Sequence, residues 1–137
     1  MPSGSRRRPR KVLVVEDHDD TRSMYREHFA RAGYVVETAT GGNEALALAL
    51  SMVPDVILLD LAMPRLDGWD TTVLLRTYPT TARIPIVACT AVNDEEALER
   101  VVGLGCTAVI RKPCLPVDIE IVIDRVLDDG VPGAGTA

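Results

Sequence analysis

The chain has 137 residues, of which 47% are hydrophobic, and its 15 basic and 20 acidic side chains give a net charge of −5. A chain of this length buries about two thirds of its unfolded surface in one domain, which excludes disorder as its main state. No apolar run approaches the roughly 20 residues that span a bilayer, and residues 1–10 lack the apolar core of a secretory signal. We therefore expect a cytoplasmic protein.

The basic residues are concentrated at the amino terminus. The first eleven residues hold five of them and no acid, which leaves ten basic and twenty acidic side chains for the remainder. Because an acidic body repels a phosphate backbone, we expect no direct binding to nucleic acid. We predict a basic disordered leader over residues 1–10, a folded domain over 11–128, and a flexible tail or the start of a linker over 129–137.

Apolar strands alternate with amphipathic helices along the chain. Runs typical of strands in a parallel sheet lie at residues 12–15, 34–36, 56–59, 84–89 and 108–111. Helical spacing of apolar residues runs from residue 20 to Gly33 and then over 43–51, 69–77, 94–104 and 116–127. We expect Asp19 and Asp20 to cap the first helix. Five strands alternating with five helices predict a doubly wound α/β domain around a parallel sheet.

Four of the five predicted strands end on a polar residue. The first ends at Glu16 and Asp17, the third at Asp60, the fourth at Thr90 and the fifth at Lys112. In such sheets, ligands bind beyond the carboxyl ends of the strands. Two carboxylates roughly 4 Å apart repel each other by about 4 kcal/mol at an effective dielectric near 20, which a hard divalent cation relieves. Oxygen ligands favour Mg²⁺ over zinc, while a lysine and a threonine suit the oxygens of a phosphoryl group.

Four motifs at these strand ends resemble the response regulator receiver domains of two-component signalling. They are Val-Val-Glu-Asp at 14–17, Leu-Leu-Asp-Leu-Ala-Met-Pro at 58–64 followed by Asp67-Gly68, Cys-Thr-Ala at 89–91, and Arg-Lys-Pro at 111–113. The resemblance covers residues 11–127 and is strongest to single-domain regulators of the chemotaxis type. It implies a flavodoxin-like fold with five helices and strand order 2-1-3-4-5.

The resemblance also implies a phosphoacceptor and its metal ion. Asp60 would take a phosphoryl group from a sensor histidine kinase or a phosphotransfer protein, in a reaction that needs Mg²⁺. Asp17 and Asp60 would bind the metal directly, with the backbone carbonyl of Ala62, and Glu16 would act through water. Such a domain is not an enzyme beyond catalysing its own phosphorylation and dephosphorylation.

The remaining family roles concern the switch. Thr90 and Lys112 would bind phosphoryl oxygens, and the Lys112–Pro113 bond would be cis. Phosphorylation would reorganise the face built from the fourth helix, the fifth strand and the fifth helix, which contacts a downstream protein or a second copy of the chain. The apolar residues of the fifth helix exceed one stripe, which agrees with such a contact.

Three positions depart from the common family pattern or tune it. Val109 stands where these domains usually carry Phe or Tyr, so the aromatic part of the switch is missing. Ala62 and Val92 occupy the two positions that set the lifetime of the phosphoryl group. Because neither side chain can orient an attacking water by a hydrogen bond, the resemblance implies slow loss of the phosphoryl group.

Two other classes of function compete with a phosphorylation switch. The first is a pseudo-receiver, an interaction module that no longer takes phosphate, although the acceptor, the acids and the lysine are all present. The second is an enzyme on the same sheet, either a flavodoxin-like nucleotide binder or an acyl-phosphate phosphatase. The acidic loop over residues 16–20 would repel a flavin phosphate, and the acceptor aspartate follows the third strand where a phosphatase would carry it on the first.

Overall fold

The structure is a computed structural model that describes residues 8–61, 68–91, 95, 99, 102–103 and 105–129. Its strands are β1 (Lys11–Val15), β2 (Val35–Ala39), β3 (Val56–Asp60), β4 (Ile86–Thr90) and β5 (Ala108–Arg111). Its complete helices are α1 (Asp19–Arg31), α2 (Gly42–Met52), α3 (Gly68–Thr77) and the C-terminal helix (Pro116–Asp129).

The five strands form one parallel sheet in the order β2-β1-β3-β4-β5. The predicted doubly wound α/β fold and its strand order are confirmed. The predicted fourth helix, over 94–104, lies mostly outside the described residues, and the described ones at 95, 99, 102 and 103 are helical. The described part of the chain therefore holds four complete helices where we expected five.

The core has two halves, one on each face of the sheet. On one face, Leu13 and Val15 of β1 pack with Ala45 and Ala49 of α2 and Leu75 of α3. On the other face, alternate residues of the same strand pack against α1 and the C-terminal helix; the buried side chains there include Val12, Val14, Tyr25, Phe29, Ile119, Ile123 and Val126. Because β1, β3 and β4 are covered on both faces, they are continuous apolar runs.

Two element boundaries differ from the predicted ones for local reasons. We predicted β4 from residue 84, but Ile84 still belongs to the preceding turn, where its N–H donates to the Thr81 carbonyl at 3.2 Å. We predicted β2 over 34–36, but it continues to Ala39 because polar residues are tolerated in this edge strand. The first helix ends as predicted before Gly33, whose φ of 98° favours glycine.

Residues 8 and 10 of the predicted leader contact the body of the domain. Arg8 makes an ion pair with Asp55 at 2.8 Å, and Arg10 makes one with Asp128 at 2.7 Å. Among the helices that the structure describes, none combines the length and the apolar character that a membrane span requires.

Candidate functional site

Three acidic side chains meet at the carboxyl ends of β1 and β3. Glu16 and Asp17 directly follow β1, and Asp60 is the last residue of the neighbouring β3. Each offers one carboxylate oxygen, and these oxygens lie within 4.8 Å of one another. Glu16 and Asp60 are buried, whereas Asp17 is exposed. The sheet therefore brings together the three acids that the sequence placed at its strand ends.

The surroundings of Glu16 change its acidity. Its side chain is buried, and one carboxylate oxygen accepts a hydrogen bond from the His18 backbone N–H at 3.1 Å. Burial raises the pKa of Glu16 to about 7; the hydrogen bond from His18 opposes this shift, and the nearby charge of Asp60 adds to it. The charge of Lys112 favours the ionised form of this carboxylate, and a cation bound nearby would favour it further.

Lys112 supplies one positive charge to the cluster. Its Nζ lies 3.2 Å from Oδ1 of Asp60, with the side chains 30% and 8% exposed. Burial alone would lower the pKa of Lys112, but the charge and hydrogen bond of Asp60 and the charge of Glu16 raise it above its ordinary value. Lys112 is therefore a cation fixed beside the most buried aspartate of the site.

Thr90 lies at the next strand end. It is buried as the last residue of β4, and its carbonyl accepts a hydrogen bond from the Lys112 backbone N–H at 2.7 Å. Because Asp60 is paired with Cys89 in the sheet register, Thr90 extends one residue beyond the aspartate. The Lys112–Pro113 bond is cis, as the resemblance implied. The other predicted site positions, 62 and 92, lie outside the described residues.

The loop that follows the acids contains one correction and one missed residue. The first helix is capped by His18, whose side chain accepts the Thr21 N–H at 3.3 Å, and not by Asp19 or Asp20, which lie in its first turn. Histidine is an uncommon cap, so the usual preferences favoured the aspartates. We also missed Arg22, which donates to the Glu16 carbonyl at 3.1 Å and to Asp19 at 2.6 Å. Its spacing of three residues from Asp19 was the available signal.

The donor set of the cluster fits a hard divalent cation. All three side chains offer oxygen, the ligand type that Mg²⁺ prefers, and none offers the sulfur or nitrogen that favours zinc. Three carboxylates against one lysine leave an excess of negative charge, which a cation would offset. An aspartate placed between such a cation and a lysine can also act as a nucleophile toward phosphorus.

Comparisons with known protein families agree with this chemistry. A family model described as the response regulator receiver domain matches residues 12–124. The structure is similar to that of the chemotaxis response regulator CheY4 of Vibrio cholerae, with a TM-score of 0.82 and 33% identity over 88% of this chain and 100% of that one.

Curated relatives include proteins both of similar length and longer. The chain is 34% identical over 105 residues to the polar-differentiation response regulator DivK of Brucella anthropi, covering 77% of this chain and 85% of DivK. It is 36% identical over 119 residues to a probable transcriptional regulator, ycf27, of Guillardia theta, covering 85% of this chain and 45% of that protein. The chain thus spans about half the length of several relatives that it matches.

Proposed function

Because the chain belongs to the response regulator receiver domain family of two-component systems, we propose that Asp60 accepts a phosphoryl group from a sensor histidine kinase or a phosphotransfer protein. The observation that carries the proposal is the position of Asp60. It is a buried carboxylate at the end of the central strand, 3.2 Å from the Lys112 ammonium and beside two further acids. No other aspartate among the described residues combines these features.

The transfer is a displacement at phosphorus. A carboxylate oxygen of Asp60 attacks the phosphorus of a phosphohistidine, a P–O bond forms, and the P–N bond breaks. The leaving imidazole keeps the electron pair of that bond and takes up a proton, so the donor histidine returns to its neutral form. Lys112 binds one phosphoryl oxygen and the hydroxyl of Thr90 donates to another, which stabilises the charge that develops during transfer.

The same acids hold the metal ion of the reaction in our proposal. As the family resemblance implies, Asp17 and Asp60 would bind Mg²⁺ directly, the backbone carbonyl of Ala62 would complete the protein ligands, and Glu16 would act through water. When bound, Mg²⁺ neutralises part of the charge on the phosphoryl oxygens. The support is the all-oxygen donor set of Glu16, Asp17 and Asp60.

We place the output at the face formed by the segment over 94–104, β5 and the C-terminal helix. The described part of this face exposes four large apolar side chains, Val102, Leu115, Val117 and Ile121, which are 50%, 65%, 48% and 52% exposed. Such a patch favours a protein contact, either with a downstream target or with a second copy of the chain. Val109 on β5 packs partly buried against the core where the family usually carries an aromatic ring. In this proposal the change is therefore carried either by Thr90 and its loop alone or by the segment over 94–104.

Light scattering tests the homodimer. With a phosphoryl mimic such as beryllium fluoride, we expect the mass of the wild-type protein to double and that of Ile121→Glu to stay monomeric. Val73→Glu is the matched control, because Val73 is equally exposed at 51% but lies on α3. A monomeric mass in every sample at high concentration would exclude the homodimer. A downstream target would then remain as the partner of this face.

We further propose that the phosphorylated form is long-lived. Ala62 and Val92 have no polar group that could orient a water for attack on the acyl phosphate. After removal of the phosphate donor, Ala62→Asn should lose its phosphoryl group faster than the wild-type protein in Mg²⁺ buffer. Equally fast decay in both proteins would refute this.

Intact mass spectrometry tests the phosphoacceptor role itself. The protein is incubated with Mg²⁺ and acetyl phosphate, beside an Asp60→Asn variant and a sample with EDTA. We expect one phosphoryl adduct on the wild-type protein and none in either control. If a phosphorylated kinase as donor also gave no adduct while Mg²⁺ binding was confirmed, the alternative function would be favoured, a pseudo-receiver that binds partners independently of phosphorylation.

A further inference from the structure

One arginine of α1 reaches back to the loop that carries two of the three acids. Arg22 lies one turn into the helix, and its side chain is 18% exposed. One guanidinium nitrogen donates to the backbone carbonyl of Glu16 at 3.1 Å and lies 3.5 Å from that of Asp17. The other terminal nitrogen donates to the Asp19 carboxylate at 2.6 Å. The guanidinium therefore joins α1 to the turn between β1 and the helix.

The two carbonyls belong to residues whose side chains form the acidic cluster. The Glu16 backbone is held at both of its polar groups, since its N–H donates to the Ala39 carbonyl at 3.0 Å and its carbonyl accepts from Arg22. A carbonyl and a side chain of one residue share the same Cα, so fixing the carbonyl restricts where the carboxylate lies. Residues that orient metal ligands in this way commonly do not touch the metal themselves.

The contacts of Arg22 need the shape of an arginine. A guanidinium is a planar group with five N–H donors, so it bonds to a carbonyl and a carboxylate at the same time, whereas a lysine ammonium is a point charge on a flexible stem. Asp19, which is 86% exposed, takes up one side of this fork. The other side faces the carbonyls of Glu16 and Asp17. Lysine at this position would keep the charge and lose the simultaneous contacts.

We infer that Arg22 is a positioning residue of the metal site. It holds the backbone of Glu16 and Asp17 so that their carboxylates face Asp60, and its own contacts are to carbonyls and to Asp19, outside the cluster. What this role explains is the approach of three carboxylate oxygens to within 4.8 Å of one another in spite of their mutual repulsion. The inference rests on the proposed function for the identity of the cation.

Charge alone makes the opposite prediction. The guanidinium stays protonated in proteins, so its charge repels a cation held by the nearby acids. By charge alone, the loss of Arg22 would strengthen Mg²⁺ binding, whereas the loss of a positioning contact would weaken it. The sign of the change in affinity therefore decides between the two roles.

A Mg²⁺ titration of the full isotope-labelled chain, followed by amide chemical shifts, measures this sign. We expect the dissociation constant of Mg²⁺ to rise about 10-fold in Arg22→Met and in Arg22→Lys, a usual cost of losing a residue that orients metal ligands. Arg26→Met is the matched control and should bind as the wild-type chain does, because Arg26 lies on the same helix but donates to the Thr38 hydroxyl at 2.7 Å. Equal or tighter binding by Arg22→Met, or wild-type affinity in Arg22→Lys, would overturn the inference.

Hydrogen exchange in EDTA tests the positioning apart from the metal. The His18 amide reports on the loop, since it donates to the Glu16 carboxylate at 3.1 Å. We expect it to exchange about 10-fold faster in Arg22→Met, the equivalent of one hydrogen bond, and at the wild-type rate in Arg26→Met. Circular dichroism checks that both variants are folded.

The two readouts separate this inference from the proposed function. An unchanged exchange rate of the His18 amide in Arg22→Met would overturn the inference whatever the outcome of the phosphorylation assay. If the wild-type chain bound no Mg²⁺ while the exchange rate rose as expected, the metal site of the proposed function would fail and the hold of Arg22 on the loop would stand.

Discussion

Strand β3 has an aspartate at each end, and the two aspartates differ in the balance of charge around them. Asp55, just before the strand, accepts two hydrogen bonds from the Arg8 guanidinium at 2.8 and 3.0 Å and one from the Lys11 backbone N–H at 2.7 Å. Asp60, at the other end, shares a single lysine with two more acids. At the amino end of β3 the aspartate is paired with an arginine, whereas the acids at the carboxyl end keep an excess of negative charge.

The titration behaviour of the two ends follows the same division. Burial alone would raise the pKa of Asp55, but the hydrogen bonds from Arg8 and Lys11 hold it below its ordinary value. At the site, burial raises the pKa of Glu16 to about 7. The interactions of Asp55 at the amino end therefore stabilise the folded chain. The acids at the carboxyl end destabilise it, and they form the site where we propose that a cation and a phosphoryl group bind.

The largest contrast should come from one lysine at each end of the sheet. Lys112→Ala removes the positive charge beside Asp60, and we expect it to slow phosphorylation by acetyl phosphate by about 10²-fold, the usual cost of losing one stabilising donor. Lys11→Ala is the matched control, since Lys11 donates to the Met52 carbonyl at 3.0 Å, and its rate should equal that of the wild-type chain. Equal rates in the two variants would contradict the role of Lys112.

At the amino end the expected effect is on stability. Asp55→Ala leaves the half-buried backbone N–H of Lys11 without its acceptor and removes the partner of Arg8. The free energy of unfolding should therefore fall by about 2 kcal/mol. Urea unfolding followed by circular dichroism measures it. The phosphorylation rate should not change; a slower rate would show that the two ends are coupled.

The pH dependence of that loss has a defined sign. Because the pKa of Asp55 is lowered in the folded protein, its stabilising effect is complete above the ordinary carboxyl pKa and is lost as the pH falls through the lower folded value. The stability difference between the wild-type chain and Asp55→Asn, about 1 kcal/mol, should be the same at pH 7 and pH 5.5. It should shrink below roughly pH 3.9; a difference that grows with acid would contradict this assignment.

Neutralising an acid at the site should act in the opposite direction. Without Mg²⁺, Asp17→Asn relieves repulsion from Glu16 and Asp60, and because Asp17 is exposed the gain should be small, about 0.5 kcal/mol. With saturating Mg²⁺, the order should reverse, since binding stabilises the wild-type chain more than the variant. Thermal unfolding in EDTA and in Mg²⁺ measures both. An Mg²⁺-induced rise in Tm of the same size in both proteins would remove Asp17 from the metal ligands.

The smallest effect is expected at the exposed ion pair of the amino end. Asp128 is 59% exposed in its contact with Arg10, so Asp128→Ala should change the free energy of unfolding by less than about 0.5 kcal/mol. The comparison with Asp55→Ala in the same urea assay separates the half-buried partner of the leader, Asp55, from the exposed one, Asp128. Similar losses in both variants would show that the ion pairs with the leader arginines matter more than the lower exposure of Asp55.

Most of the fold could be predicted from the sequence, because a strand buried on both faces of a sheet is a continuous run of apolar residues. Strands β1, β3 and β4 are continuous apolar runs that end on polar residues, and the polar ends also indicated the site. Edge strand β2 was predicted too short, because two consecutive polar residues, Glu37 and Thr38, follow its apolar residues.

What sequence reasoning could not supply was contact between side chains of different segments. Arg8 of the predicted leader makes an ion pair with Asp55 at 2.8 Å, and neither helical nor strand periodicity relates such positions. The cap of α1 was assigned by frequency to the aspartates, whereas Asp19 is drawn to Arg22 and the ring of His18 takes its place. Both cases depend on which side chains are neighbours in space.

The central claim is that the phosphoryl group is carried by Asp60 and by no other acid of the cluster. The phosphorylated protein can be reduced with borohydride, which converts an aspartyl phosphate to homoserine, and then digested and mapped by mass spectrometry. We predict homoserine at position 60 alone, in an amount that matches the phosphoryl adduct. Homoserine at position 17, or an adduct that leaves no homoserine at position 60, would contradict the account.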